Sequence, residues 1–287
     1  MSKFDAWIGR EQRAKDILDP ALAARWLATF DLDTPEPPIM PQGVHFVLCT
    51  PEAPTRALGE DGHPVRDESA DSFLPPFPQF GSGPRRMWAS SEIAFIAPLA
   101  MGAAIERTSR VASISEKEGG SGQLAFVNVE HDTRSNGTLS IRETQALVYR
   151  EAAAPDAPLS PPEPGEGIFK AGDWDTVRTL TPDTRLLQRF SALTFNTHRI
   201  HYDAPYAREV ERYRGLVVHG PLTASLLLRL AAEEVGENRL RAFNFRGVSP
   251  AIADEELHLA MRKGGDGFEL GAFASDGRQV TKASASL

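Results

Sequence analysis

One segment restricts the fold of this chain more than any other. From Gly220 to about Glu237, the residues Leu222, Leu226, Leu227, Leu228, Leu230 and Ala231 leave a helix with almost no polar face. A helix that apolar cannot lie on a surface and must be enclosed on most sides. Gly220-Pro221 opens it, with proline at a position that needs no N–H. The residues after it read as strands: Phe243 to Asp254 (FNFRGVSPAIAD), Leu257 to Arg262, Phe268 to Ala274 and Val280 to Leu287. The last two are joined by Ser275-Asp276-Gly277, and Asp-Gly supplies the positive φ angles of a tight hairpin. A meander of this kind has to wrap around the helix that precedes it.

The first half of the chain resembles the second. Glu92 to Gly102 (EIAFIAPLAMG) precedes two strand-like runs, Leu124 to Glu130 and Leu139 to Arg150, joined by Ser135-Asn136-Gly137. Phe95 then corresponds to Phe245 and Gly137 to Gly277, the kind of self-similarity that marks a duplicated unit. Between the halves, Glu151 to Gly167 carries Pro155, Pro158, Pro161, Pro162 and Pro164 and reads as an extended linker that neither pairs in a sheet nor continues a helix. The expected architecture is α+β, a double hotdog in which each half is an antiparallel sheet around a central helix. Its N-terminal hotdog spans residues 1–150, the linker 151–167 and the C-terminal hotdog 168–287. The first half is degenerate. An amphipathic helix is expected around Glu11 to Thr29, but Pro51 to Arg86 offers prolines and glycines where the second half has its leucine-rich helix.

Two shorter helices precede the enclosed one. Thr181-Pro182-Asp183 predicts a capped start, after which Leu186, Leu187, Phe190 and Leu193 fall on one face. Asp203-Ala204-Pro205 predicts another, running through Glu211.

Composition narrows the function. The 39 Asp and Glu outnumber 31 Lys and Arg, which argues against a broad basic face for nucleic acid. The longest apolar stretch, Leu222 to Ala232, is interrupted by Arg229 and falls short of the ~20 residues of a membrane-spanning helix. Cys49 is the only cysteine, so no internal disulfide is available and a reducing compartment is expected. No export or import address is visible, and the expected location is cytoplasmic.

The chemistry concentrates in Phe190 to Asp203 (FSALTFNTHRIHYD) and Tyr213 to Leu222 (YRGLVVHGPL), which hold His198, His201 and His219. Each histidine taken alone is as well explained by hydrogen bonds to loop backbone. His198 and His201 are spaced i, i+3 with Asp203 near, but zinc sites on helices usually use i, i+4 and need a third ligand, so no metal is expected. No Gly-x-Ser-x-Gly elbow is present, and Cys49 is remote, so a covalent nucleophile lacks a candidate. What remains is acid–base work by one histidine beside the Asn196 amide and the N-terminus of the enclosed helix. Asn196 and His201 can converge only if the chain between them is irregular. The Gly220 amide heads a helix whose partial positive charge suits a developing oxyanion, although an ordinary helix cap would look the same.

These two stretches, with Trp7-Ile8-Gly9-Arg10 and Pro84-Arg85-Arg86-Met87-Trp88-Ala89, resemble the MaoC-like (R)-specific hydratase/dehydratase family. The similarity is to the branch of mitochondrial-type 3-hydroxyacyl-thioester dehydratases and mesaconyl-C4-CoA or itaconyl-CoA hydratases. It implies reversible hydration of an enoyl thioester carried on coenzyme A or acyl carrier protein, with no cofactor, in a chain that is a pseudo-dimer by itself and a candidate to pair into a homodimer. The wider family motif, Asp-x-Asn-Pro-aliphatic-His, aligns its histidine on His201 and places Asn196 at its catalytic aspartate. An amide accepts no proton at neutral pH, so the resemblance implies His201 as the sole base, Asn196 as the group orienting water, and the Gly220 N–H as the oxyanion donor. His219 is expected to position the loop. Arg199, Tyr202 and Arg214 are candidates for coenzyme A phosphates or a substrate carboxylate, with a solvated role for each arginine equally open. A hotdog thioesterase and a non-catalytic acyl-thioester-binding protein are the alternatives.

Overall fold

A computed structural model of the chain describes residues 4–66, 72–80, 85–119, 122–166 and 169–287. The N-terminal half runs β1 (Glu11–Ile17), α1 (Pro20–Thr29), the two-residue β2 (Ile39–Met40), β3 (Arg85–Phe95), the equally short β4 (Leu99–Ala100), β5 (Ala104–Gly119), β6 (Gly122–Ser135) and β7 (Thr138–Arg150). The C-terminal half runs β8 (Thr176–Leu180), α2 (Thr184–Thr194), α3 (Ala204–Glu209), α4 (Gly220–Val235), β9 (Ala242–Gly247), β10 (Leu257–Gly264), β11 (Gly267–Ala274) and β12 (Gln279–Ser286).

Ten of these strands form one antiparallel sheet, ordered β1-β5-β6-β7-β3-β9-β12-β11-β10-β8. The order repeats from either edge, so β1, β5, β6, β7 and β3 answer to β8, β10, β11, β12 and β9. The halves join where β3 meets β9, with Ser91 opposite Phe245 and Glu92 opposite Asn244. This is a double hotdog. The correspondence holds between strands more than between the two phenylalanines: Phe245 sits within the β3–β9 ladder, whereas Phe95 ends β3 and reaches the Arg241 carbonyl. At the β6–β7 turn, Asn136 and Gly137 take φ angles of 49° and 82°, as a tight hairpin between the paired Ser135 and Thr138 requires.

The leucine-rich α4 lies against β10, β11 and β12 and buries Leu222, Leu227, Leu228 and Leu230. Its other side meets the N-terminal half. Gly43 approaches so closely that a Cβ there would stand 3.3 Å from Leu228 Cδ1, and Trp26, Val44 and Leu48 share one core with Leu222, Leu227 and Phe243. Burial from both halves is what an all-round apolar helix needs. The described residues of the first half put no such helix against β5, β6 and β7. Phe4, Trp7, Phe77 and Phe80 fill that face instead, over Val111, Val127 and Tyr149.

Three expectations need correction. Glu11 to Ile17 is a strand, because the segment pairs residue for residue with Ala104 to Arg110 of β5, and ladder pairing overrides local helical preference there. The helix starts only at Pro20, where Asp19 caps the Ala21 and Leu22 N–H groups. Helix α2 is capped by Asp183 through the Leu186 N–H, two residues beyond Thr181. The proline-rich segment does pair: the Ser160 N–H donates to Arg212 O at 2.8 Å, its carbonyl accepts from the Arg214 N–H at 3.0 Å, and Arg212 Nε donates to Ala157 O. Ser160 can do this because, unlike its proline neighbour, it keeps its own donor. Among the described residues no helix is long and apolar enough to cross a membrane.

Leu227 is fully buried between the halves. Leu227→Ala is therefore expected to cost about 2–5 kcal/mol in urea unfolding, the range for a core leucine that leaves a cavity.

Candidate active site

The three histidines form a stack that begins where α2 ends. Thr194 closes α2, Phe195 turns left-handed at φ 49°, and the Asn196 N–H bonds back to Ser191 O. A 3-10 turn over Arg199–His201 follows. The irregular backbone lets His201 swing under α4, where its ring lies on that of His219 with centroids 3.5 Å apart and planes 18° from parallel. The His198 ring meets His201 edge-on at 5.5 Å.

Hydrogen bonding fixes the roles of the nitrogens. His201 Nδ1 is 2.7 Å from the Val217 carbonyl. A carbonyl only accepts, so Nδ1 carries the proton and Nε2 the lone pair. His201 Nε2 has no hydrogen-bond partner among the described residues, and it is not sealed from solvent as His198 Nε2 and His219 Nδ1 are. Burial, and then the neighbouring His198, push the His201 pKa down to about 3 against the pull of the Val217 carbonyl. It is a neutral imidazole with an accepting nitrogen free. Burial, with His201 and His198 beside it, also holds His219 well below its usual value; its Nε2 pairs with the Ser191 hydroxyl at 2.9 Å.

Gly220 follows His219 as the first residue of α4 and is exposed. Its N–H has no partner among the described residues, as the first amides of a helix have none within it. A Cβ on Gly220 would meet only the Trp88 carbonyl, at 3.9 Å. The protein itself leaves room there, and β3 of the other half forms the far wall. The Asn196 Oδ1 accepts from the His198 N–H at 2.9 Å, which braces the loop, and Nδ2 is left without a partner among the described residues.

The other candidates sit differently. Arg199 grips Asp203 through Nε and Nη2 at 3.0 and 2.8 Å and lies over the Tyr206 ring. Arg214 makes a two-point pair with Glu255 and bonds Pro161 O. Both guanidiniums are therefore saturated by protein groups, while Tyr202 is half exposed.

The N-terminal half contributes a roof that the sequence reading left as mere proline and glycine. Asp61 O accepts from the Arg199 N–H at 2.9 Å, Gly62 O from Thr197 Oγ1 at 2.6 Å, and Glu60 O from Arg199. Gly62 has φ +88°, and a Cβ there would overlap the Thr197 carbonyl, so only glycine fits this joint. The His63 ring packs on His198 at 4.2 Å and its Nδ1 bonds Asp61 at 2.9 Å. Asp61, His63 and His198 bring ligand-type atoms within 4.8 Å of one another. Beneath them, Arg85 pairs with the buried Glu211 at 2.7 Å, and Glu211 lies 3.9 Å from His198 Nε2. The partners from the roof loop, Asp61, Gly62 and His63, were not among the candidate site residues of the sequence.

Residues 43–253 match the hydroxyacyl-thioester dehydratase type 2 family. The chain belongs to that family. Among family-type relatives, the mesaconyl-C(4)-CoA hydratase of Chloroflexus aurantiacus is 41% identical over 296 residues, covering 100% of this chain and 99% of its own. The fold resembles a MaoC-like dehydratase from Phytophthora capsici, with TM-score 0.68, 14% identity and coverage of 100% and 97% of the two chains. It also resembles a Mycobacterium tuberculosis protein described as a double hotdog, with TM-score 0.55, 15% identity and coverage of 97% and 95%. The resemblance of the histidine-bearing stretches to MaoC-like hydratases and dehydratases thus agrees with both sequence and fold.

The buried histidines give the fold a signature in stability. His45, His131 and His201 are lowered to about 3, mainly by burial, and His63 and His219 well below 6.5. Below about pH 6.5 the unfolded chain binds these protons and the native one refuses them, so stability falls with acid. Glu143, raised to about 7 by burial, works the other way, one group against five. In scanning calorimetry at fixed salt, Tm is expected to drop from pH 7.5 to 5.5; a constant or rising Tm contradicts the buried neutral histidines.

Proposed function

We propose that this chain is a hydro-lyase that reversibly hydrates an enoyl-CoA, with a short acyl chain of the mesaconyl-C4 or itaconyl type as substrate. The observation that carries this reading is the His201 Nδ1–Val217 hydrogen bond, which leaves Nε2 as a free proton acceptor on a ring stacked against His219, the residue before the unpaired amide of Gly220. The 41% identity to a mesaconyl-C(4)-CoA hydratase along the full chain supports the substrate class.

In hydration, His201 Nε2 takes a proton from a bound water, and the hydroxide adds to the β-carbon. The Gly220 N–H, at the positive end of α4, holds the enolate-like thioester oxygen. The histidinium then returns its proton to the α-carbon. Asn196 serves first as a loop brace through Oδ1; Nδ2 is the part left to hold water. His219 supports His201 by stacking and is tied to Ser191. Arg199 and Arg214 act as fixtures of the loop through Asp203 and Glu255. The C-terminal half, residues 168–287, is the catalytic unit, and residues 1–150 supply its roof and wall. A cytoplasmic location and pairing into homodimers belong to the same reading.

A thioesterase would use the same helix end but wants a carboxylate near the carbonyl, and Asn196 supplies none. The three readings separate in one assay. With crotonyl-CoA or mesaconyl-C4-CoA, loss of the conjugated enoyl thioester without thiol release is expected; thiol release indicates a thioesterase, and neither signal a binder. His201→Ala is expected to lower kcat/KM by about 10²–10⁴-fold, the usual contribution of an acid–base group. Wild-type rates in that variant would falsify the assignment.

The depressed pKa adds a pH profile. Because His201 stays neutral until well below pH 6.5, kcat/KM for hydration is expected to remain flat from pH 8 to below 6. An acid limb centred at 6.5 or above contradicts a buried, neutral base.

A further inference from the structure

Two arginines near the candidate site have no anion paired with them among the described residues. On β3, Arg86 pairs with Tyr149 and Trp88 with Leu147, so these side chains share the face that looks toward the roof. Arg66, from the end of the roof loop, lies over the Tyr149 ring at 5.0 Å. Arg66 Nη1 and the Tyr149 hydroxyl are buried without a hydrogen-bond partner, and Tyr149 is 2% exposed. Arg86 forms no hydrogen bond or ion pair among the described residues. The carboxylate whose field both arginines feel is Asp61, which is already hydrogen-bonded to His63. Among the described residues two cations thus face one committed anion, beside donors left unused. Buried donors and charge left unpaired are costly, so such a set is poised for an anion from outside.

Position identifies the anion. Trp88 O is the nearest neighbour of the open side of Gly220, and Arg86 lies two residues along the same strand on the same face. At about 3.3 Å per residue this is about 7 Å along the strand, comparable with the length of a four-carbon diacyl chain. A thioester oxygen on the Gly220 amide would place the far end of a four-carbon chain beneath Arg86.

We propose that Arg86, Arg66 and the Tyr149 hydroxyl form a subsite for the distal carboxylate of a short dicarboxyl thioester, which sets the substrate class by charge. This rests on the reading above only in placing the thioester carbonyl at Gly220. A guanidinium pair with a phenol suits a carboxylate, which accepts several hydrogen bonds in one plane. A neutral methyl end would leave all three groups unpaired, which is how a polar pocket rejects an apolar analogue.

Succinyl-CoA and butyryl-CoA test this directly, since both are saturated, unreactive in hydration and alike in chain length, and only the first ends in a carboxylate. By titration calorimetry the wild type is expected to bind succinyl-CoA at least about tenfold more tightly, the worth of one charge-assisted hydrogen bond. Arg86→Met is expected to bring the ratio of the two affinities to within about twofold of unity. Tyr149→Phe removes a hydroxyl that bonds nothing among the described residues, so it is expected to fold as the wild type and to lower the ratio several-fold. Equal binding of the two thioesters by the wild type, or an unchanged ratio in both variants, overturns the subsite. A persistent preference in a protein that fails to hydrate any enoyl-CoA would support the subsite and remove the hydratase reading; hydration without the preference would do the reverse.

Discussion

The rest of the structure follows from the need to hide α4. A helix carrying leucine on nearly every side has to be covered by sheet on one side and by further chain on the other, and here the two covers come from different halves of the molecule. The cover leaves the two ends of the helix open, at Glu233 and Glu234 in the last turn and at Gly220 in the first. Burial of the body and exposure of the head are one arrangement. It delivers a set of unpaired helix amides, with their partial positive charge, to the seam where β3 of the first half runs alongside.

The same burial sets the electrostatics. Burial disfavours charge on His201 and His219, packed ring on ring, and the Val217 carbonyl decides which nitrogen of His201 keeps its proton. Fixed positive charge comes instead from arginine, which stays protonated when partly buried; Arg86 is lowered only to about 10. Arginines at the seam divide into those matched to a carboxylate, such as Arg85 with Glu211 and Arg214 with Glu255, and those that are not. On the proposed reading, a neutral base, a helix amide, Arg86 on β3 and Arg66 on the roof loop together suit an acyl group with an anionic end.

Much of the fold was legible because its signals are local. The apolar stripe of α4, the Asn-Gly turn of β6–β7 and the leucines of α2 each carry their own periodicity or turn chemistry. Glu11 to Ile17 misled because its partner, β5, is about ninety residues away and decides its state by ladder bonding. Ser160 misled for the same reason, since the chain it pairs with lies beyond the linker. In the site, the histidines stood out as a cluster in sequence. The roof did not: Asp61 and His63 come from a loop of the other half and reach His198 only through tertiary contact. Likewise, Arg199 and Arg214 looked available because their partners, Asp203 and Glu255, are ordinary surface-type carboxylates until the fold brings them into line.

The account turns on the protonation of a single imidazole, and nitrogen NMR reads it directly. With ¹⁵N-labelled histidine, and His201→Gln as the assignment control, the resonances of His201 in the butyryl-CoA complex at pH 7 are expected to show Nδ1 protonated and Nε2 bare. An imidazolium signal, or the tautomer with its proton on Nε2, would contradict the claim that His201 is the base.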